Sequence, residues 1–163
     1  MRHCLDGALF SSVAVVAYAS VFHLSVVRGA SMQPGIQDGD RILVESWAYL
    51  VSSVERGDVV VLSSPVDPAI DYIKRVVGLP GEEVRVGPDG VWIDGVRLEE
   101  PYAVVDESTP TVCTVVDDDH FFVLGDNRPH SADSRDFGLV RRDQLRGRVD
   151  LRVWPPLRIG LLD

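Results

Sequence analysis

Lysine is nearly absent from this 163-residue chain: 15 of its 16 basic residues are arginine, and Lys74 is the single exception. Chemistry that needs an uncharged side-chain amine therefore has one candidate, because a guanidinium stays protonated at neutral pH. Cysteine is scarce too. Cys4 and Cys113 fall far apart and, with a membrane between them, could not pair, so no disulfide framework is indicated. Cys113 reads as a half-buried small apolar residue. Positive charge is short overall: the net charge is −9, and no basic run offsets it, which argues against nucleic acid as a partner. The chain also lacks internal repeats, low-complexity linkers and, beyond residue 27, any long stretch of helical periodicity. Its length supports one domain, with or without an appendage.

The first feature present is a charge-free run of 21 residues, Gly7 to Val27. As a helix rising about 1.5 Å per residue it would span roughly 30 Å, the thickness of a bilayer core, and a transmembrane anchor is expected. The competing reading is a secretory signal cleaved after Ala17-Tyr18-Ala19, although the amino-terminal MRHCLD is barely positive and the apolar run continues past that point. A buried helix of a soluble protein is a third possibility. The expected division is therefore 1–27 as stub and anchor and 28–163 as a separate domain. Charge bias leaves the orientation open, since Asp6 offsets Arg2 and only Arg28 follows closely.

Residues 28–163 are expected to form a mainly β, largely antiparallel domain. Candidate strands are Arg41–Glu45, Asp58–Ser63, Asp71–Val77, Glu83–Val86, Val91–Asp94, Val96–Glu99, Thr111–Val116, His120–Leu124 and Arg146–Val153. Asp94-Gly95 suits a two-residue type I′ hairpin, and Gly87-Pro88-Asp89-Gly90 is another turn signal. Trp47, Leu50, Val51 and Val54 recur at helical spacing with Tyr49 beside them; such a stripe either packs on the sheet or sits at a membrane boundary. The acidic run Asp117-Asp118-Asp119 before His120 has no second ligand cluster and reads as solvated loop, so neither a metal nor another cofactor is expected.

Four blocks carry chemistry: Ser31-Met32-Gln33-Pro34, Arg56-Gly57-Asp58-Val59-Val60-Val61, Lys74-Arg75-Val76-Val77-Gly78-Leu79-Pro80-Gly81-Glu82, and Gly125-Asp126-Asn127-Arg128-Pro129-His130-Ser131-Ala132-Asp133-Ser134-Arg135-Asp136-Phe137-Gly138. In this order behind an apolar segment they resemble the bacterial type I signal peptidases. The resemblance implies a membrane-anchored serine endopeptidase with a Ser/Lys dyad that cuts signal peptides from exported preproteins. It implies a single-pass plasma (inner) membrane protein with the amino terminus in the cytoplasm, the catalytic domain outside, and the lipid bilayer and preprotein signal peptides as partners. Ser31 would be the nucleophile, Lys74 the general base and Ser131 a hydroxyl that hydrogen-bonds the lysine amine. Asp133 and Arg135 would form a supporting pair, and Asp126 is expected to pair with Arg75 in the same way. Where some members carry a hydroxyl residue two positions before the nucleophile, this chain has Gly29, so the oxyanion would rest on the Ser31 N–H with one from Gly29 or a water. Segments around Gly29, Ala30, Asp71, Tyr72 and Ile73 would form the edge that binds substrate as an added strand.

Taken without the resemblance, the residues allow that chemistry but do not single it out, since a lysine in such a strand is ordinarily a solvated or snorkelling side chain and an isolated Ser-Met-x-Pro is more often a plain turn. A lysine serves as base only if its pKa falls from about 10.4 toward 7–8, which requires burial away from carboxylates. In Asp71–Val77, a period of two puts Lys74 on one face with Tyr72 and Val76, and Arg75 on the other. The histidines are poorly placed for a Ser-His-Asp triad: His3 and His23 belong to the anchor region, His120 to a loop, and His130 directly precedes Ser131. The alternatives are a related Ser/Lys processing peptidase of narrower substrate range, of the conjugation-pilin or organelle inner-membrane type, and a non-catalytic tethered β module. Self-cleaving transcriptional repressors share such a dyad but need a DNA-binding domain ahead of it, and here only 30 mostly apolar residues precede Ser31.

Overall fold

A computed structural model describes residues 22–105 and 109–162. Twelve strands alternate with short turns: β1 Phe22–Val26, β2 Arg41–Glu45, β3 Val59–Ser63, β4 Asp71–Gly78, β5 Glu83–Gly87, β6 Gly90–Ile93, β7 Val96–Arg97, β8 Val112–Val115, β9 His120–Leu124, β10 Val140–Arg141, β11 Leu145–Trp154 and β12 Gly160–Leu161. Two single-turn helices, α1 Ala48–Val51 and α2 Ser134–Phe137, complete the elements used below. The strands form an eight-stranded sheet in the order β1-β2-β11-β3-β4-β9-β10, with β12 on β11, and a four-stranded sheet in the order β7-β6-β5-β8. All strand pairs are antiparallel, as the short, closely spaced apolar runs predict.

β3 explains the layering. Its five residues are all buried, because alternate side chains feed opposite faces: Val59 and Val61 join a core with Ile42, Val44 and Met32, while Val60 and Leu62 join one with Val76, Phe121 and Val123. The small sheet closes on a third core with Val77, Phe122 and Leu124 of β4 and β9. Gly78 permits this approach, since a Cβ there would lie 2.4 Å from Val84 and 2.9 Å from Phe122. In the β6–β7 hairpin Asp94 and Gly95 both have positive φ, 50° and 79°, the conformation a type I′ turn requires.

Three expectations are corrected. The helix expected over 7–27 does not reach its carboxy-terminal end: Phe22–Val26 is β1, an edge strand paired along its length with β2, which satisfies the backbone groups on that side. Residues 1–21, which hold the rest of the expected anchor, lie outside the described residues; among the described residues no helix is long and apolar enough to cross a membrane. Of the two readings of the stripe around α1, packing of the whole stripe on the sheet is the one corrected. Val54 and Tyr49 join the core, but Leu50 and Val51 are 85% and 71% exposed, because one helical turn is too short to keep all four positions on one face of the sheet. Cys113 is exposed on β8 rather than half-buried.

Candidate active site

Ser31 sits in the loop that follows β1, and both sides of that loop are fixed. On one side Val27 and Met32 insert into the core, the Ile36 N–H donates to the Met32 carbonyl at 2.9 Å, and a cis peptide joins Gln33 to Pro34. On the other, the Asn127 N–H donates to the Ser31 carbonyl at 2.9 Å, and Asn127 Nδ2 to the Ala30 carbonyl at 3.0 Å. Gly125 is required at this contact: a Cβ there would stand 2.6 Å from the Ser31 carbonyl oxygen and 2.2 Å from Ser131 Oγ. Met32 and Asn127 belong to the blocks read from sequence, but nothing in the local pattern marks them as residues that seat Ser31, because both act through residues distant in the chain.

Lys74 reaches Ser31 from the middle of β4. Its Nζ donates to Ser31 Oγ at 3.0 Å and to the Ile73 carbonyl at 2.9 Å, and lies 5.2 Å from the centre of the Tyr72 ring. The side chain is almost completely buried and has no carboxylate in contact. Desolvation lowers its pKa to about 8 against the opposing pull of the more distant Asp133 and Asp126 carboxylates. A fraction of the order of one-tenth is then neutral at pH 7, against well under one-thousandth for an ordinary lysine.

Arg75 is treated in the opposite way. Its Nε and Nη2 bind Asp126 Oδ1 and Oδ2 at 3.0 and 2.9 Å, its Nη1 donates to the Gly57 carbonyl, and the pair is buried. The Asp126 pairing raises the guanidinium pKa against its own desolvation, so the charge is kept. Asp133 is fully buried and accepts from Arg135 Nε and Nη2, both at 2.8 Å, from the Gly125 N–H at 3.0 Å and from the Arg135 N–H, where it caps α2. Arg135 also binds the Arg128 carbonyl at 2.7 Å, which ties α2 to the Gly125–Arg128 segment.

Two expected contacts differ. Ser131 Oγ makes no hydrogen bond to the Lys74 amine; it is buried over Gly125 without a partner among the described residues. The Gly29 N–H is not free, because it donates to Asp38 Oδ1 at 2.8 Å, a contact set by the turn at Asp38-Gly39 that the sequence does not reveal. Gly29 does adopt a positive φ, 96°, where a side chain would be strained. Among the described residues none accepts a hydrogen bond from the Ser31 N–H.

A groove of about 400 Å³ runs between Ser25–Arg28 on one wall and Ala69–Ile73 on the other, with Ser31 and Lys74 in its lining. β4 pairs with β9 only from Arg75 onward, so Asp71–Lys74 present an edge unpaired on that side among the described residues. Of the expected substrate-binding residues, Asp71, Tyr72 and Ile73 line this groove, whereas Gly29 and Ala30 lie in the loop between β1 and Ser31 and are not part of its lining.

Comparison with known proteins agrees with this geometry. Residues 4–154 match the family model described as signal peptidase, peptidase S26. The chain is 39% identical over 142 residues to the probable signal peptidase I-2 of Synechocystis, covering 83% of this chain and 65% of that one. It is 35% identical over 164 residues to signal peptidase I of Bacillus caldolyticus, covering 90% and 88% respectively. The structure resembles the crystal structure of a signal peptidase I from Enterococcus faecalis, with a TM-score of 0.54 and 32% identity over 60% of this chain and 97% of that one. Blocks, fold and relatives agree, and this chain belongs to the signal peptidase family, peptidase S26.

Proposed function

We propose that Ser31 and Lys74 are the nucleophile and general base with which this serine endopeptidase removes signal peptides from exported preproteins. The 3.0 Å contact between Ser31 Oγ and a buried, uncompensated Lys74 amine carries this reading. Neutral Lys74 Nζ takes the Ser31 Oγ proton as Oγ attacks the scissile carbonyl carbon, and the resulting ammonium gives that proton to the departing amine. The acyl ester on Ser31 is then hydrolysed by a water that Lys74 deprotonates, which restores both groups. The unpartnered Ser31 N–H is the donor available to the developing oxyanion; the Gly29 N–H would first have to leave Asp38.

Arg75, Asp126, Ser131, Asp133 and Arg135 support the site without touching the reacting atoms. Substrate adds as a strand in the groove beside Gly29, Ala30, Asp71, Tyr72 and Ile73, whose modest volume favours small side chains at the first and third positions before the cut. The residues ahead of β1 anchor the chain in the plasma membrane, with the β domain outside. With β1 starting at Phe22, the uncharged stretch left for the anchor is Gly7 to Val21, about 22 Å as a helix, shorter than a bilayer core and in need of local thinning or flanking residues to span it.

The test is cleavage of a preprotein with an Ala-x-Ala site by the detergent-solubilised full chain. Ser31→Ala and Lys74→Ala should each abolish processing; cleavage at the wild-type rate by both would remove the assignment.

A further inference from the structure

The segment from Glu100 to Val104, which leaves the small sheet after β7, has no part in the chemistry above, yet it grips the underside of the site. Val104 forms a parallel bridge with Asn127, its N–H donating to the Asp126 carbonyl at 2.8 Å and its carbonyl accepting from the Arg128 N–H at 3.0 Å. Asn127 in turn holds the Ala30 and Ser31 carbonyls. Glu100 Oε1 receives Arg128 Nη2 at 2.5 Å in a buried pair and the Tyr102 hydroxyl at 3.2 Å, while Arg128 Nε closes on the Gly125 carbonyl at 3.0 Å. Between these two fixed ends the Tyr102 ring lies over the Arg75 guanidinium, 4.0 Å from ring centre to Cζ. With Asp126 on its edge, the Gly57 carbonyl on its third nitrogen and Tyr102 on its face, Arg75 is shut away from water.

This matters for Lys74, the next residue along the strand. Asp126 is one of two carboxylates whose charge favours a protonated Lys74, and Arg75 is the counter-charge that neutralises it. If the guanidinium swung off Asp126, more of the carboxylate field would fall on the amine and less of it would be neutral.

We infer that Tyr102 is a positioning residue for the reaction: by lying over Arg75 it keeps the Arg75–Asp126 pair closed and so leaves part of the Lys74 amine uncharged and able to accept a proton at working pH. This inference rests on the reading of Lys74 as the base, and the two can fail separately because Lys74 can be observed without turnover. The chain has one lysine, so labelling with lysine enriched in 13C at Cε gives a single side-chain resonance whose shift with pH reports the Lys74 pKa in the detergent-solubilised protein.

Wild type should titrate near pH 8. Tyr102→Ala and Tyr102→Leu should both titrate about one unit higher, and Tyr102→Phe, which keeps the ring, should match wild type. The same upward shift should appear in preprotein cleavage as a kcat about tenfold lower at pH 7 that recovers toward wild type near pH 10, with KM little changed. Loss of folding alone would lower activity at every pH. Tyr102→Leu retains apolar bulk and tests the claim if Tyr102→Ala does not fold. An unmoved Lys74 titration in folded Tyr102→Leu, or an equal shift in Tyr102→Phe, overturns the inference. A wild-type lysine titrating above pH 10 would instead overturn the assignment of Lys74 as base.

Discussion

Lys74 and Arg75 are adjacent cations on one strand, both nearly inaccessible to water, and the protein treats them in opposite ways. The alternation of a β-strand sends them to different faces. On the Arg75 face a carboxylate, a carbonyl and an aromatic ring surround the guanidinium and keep it charged. On the Lys74 face the partners are a hydroxyl, one carbonyl and the Tyr72 ring, with no carboxylate in contact, so burial lowers its pKa. Burial alone does not make a base. What separates the two environments is whether a carboxylate lies in contact, and the residue type fits each under the proposed mechanism: lysine, which can give up its proton, where no carboxylate holds it, and arginine, which keeps its proton, where one does.

The contrast breaks most sharply if Lys74 becomes Arg. That variant conserves charge but supplies no base, so preprotein cleavage should fall by at least about three orders of magnitude at neutral pH, and substantial residual turnover would show that the amine is not needed. A smaller effect, in stability, has opposite signs on the two faces. Arg75→Met leaves Asp126 buried and unpaired and should lower the unfolding free energy by about 3–5 kcal/mol at pH 7.

Lys74→Met removes a group that folding penalises. The native pKa near 8 lies below that of the unfolded chain, so between about pH 8 and 10.5 the unfolded state binds more protons and stability rises with pH; below that window the whole penalty is present. Lys74→Met should therefore be more stable than wild type at pH 7, by up to about 3 kcal/mol, with the gain vanishing near pH 11. Denaturant melts at the two pH values check both signs, and a destabilised Lys74→Met with an unchanged Arg75→Met would erase the distinction between the faces.

Much of this was legible in the chain. The β-rich architecture follows from short alternating runs, and Arg41–Glu45 and His120–Leu124 are strands with the expected bounds. The placement of Lys74 and Arg75 on opposite faces needs only a period of two. β1 was legible in principle, since Phe22, Leu24 and Val26 alternate with His23 and Ser25, but a long charge-free run overrode that shorter pattern. β10 and β12 have two residues each, too few for any period to show. Within the site, the gaps are tertiary. Asp38 on the Gly29 N–H, Ser131 Oγ turned onto Gly125, and Tyr102 over Arg75 arise where loops distant in sequence meet, and no local spacing encodes such meetings.

The central claim is that a neutral Lys74 takes the Ser31 proton, and the pH dependence of kcat for preprotein cleavage by the wild-type chain tests it most directly. The rate should rise with pH as a single ionisation with its midpoint near 8, about tenfold per unit on the acidic limb, as the buried amine loses its proton. A rate that stays flat from pH 6 to pH 10, read on a protein that remains folded across that range, would contradict it.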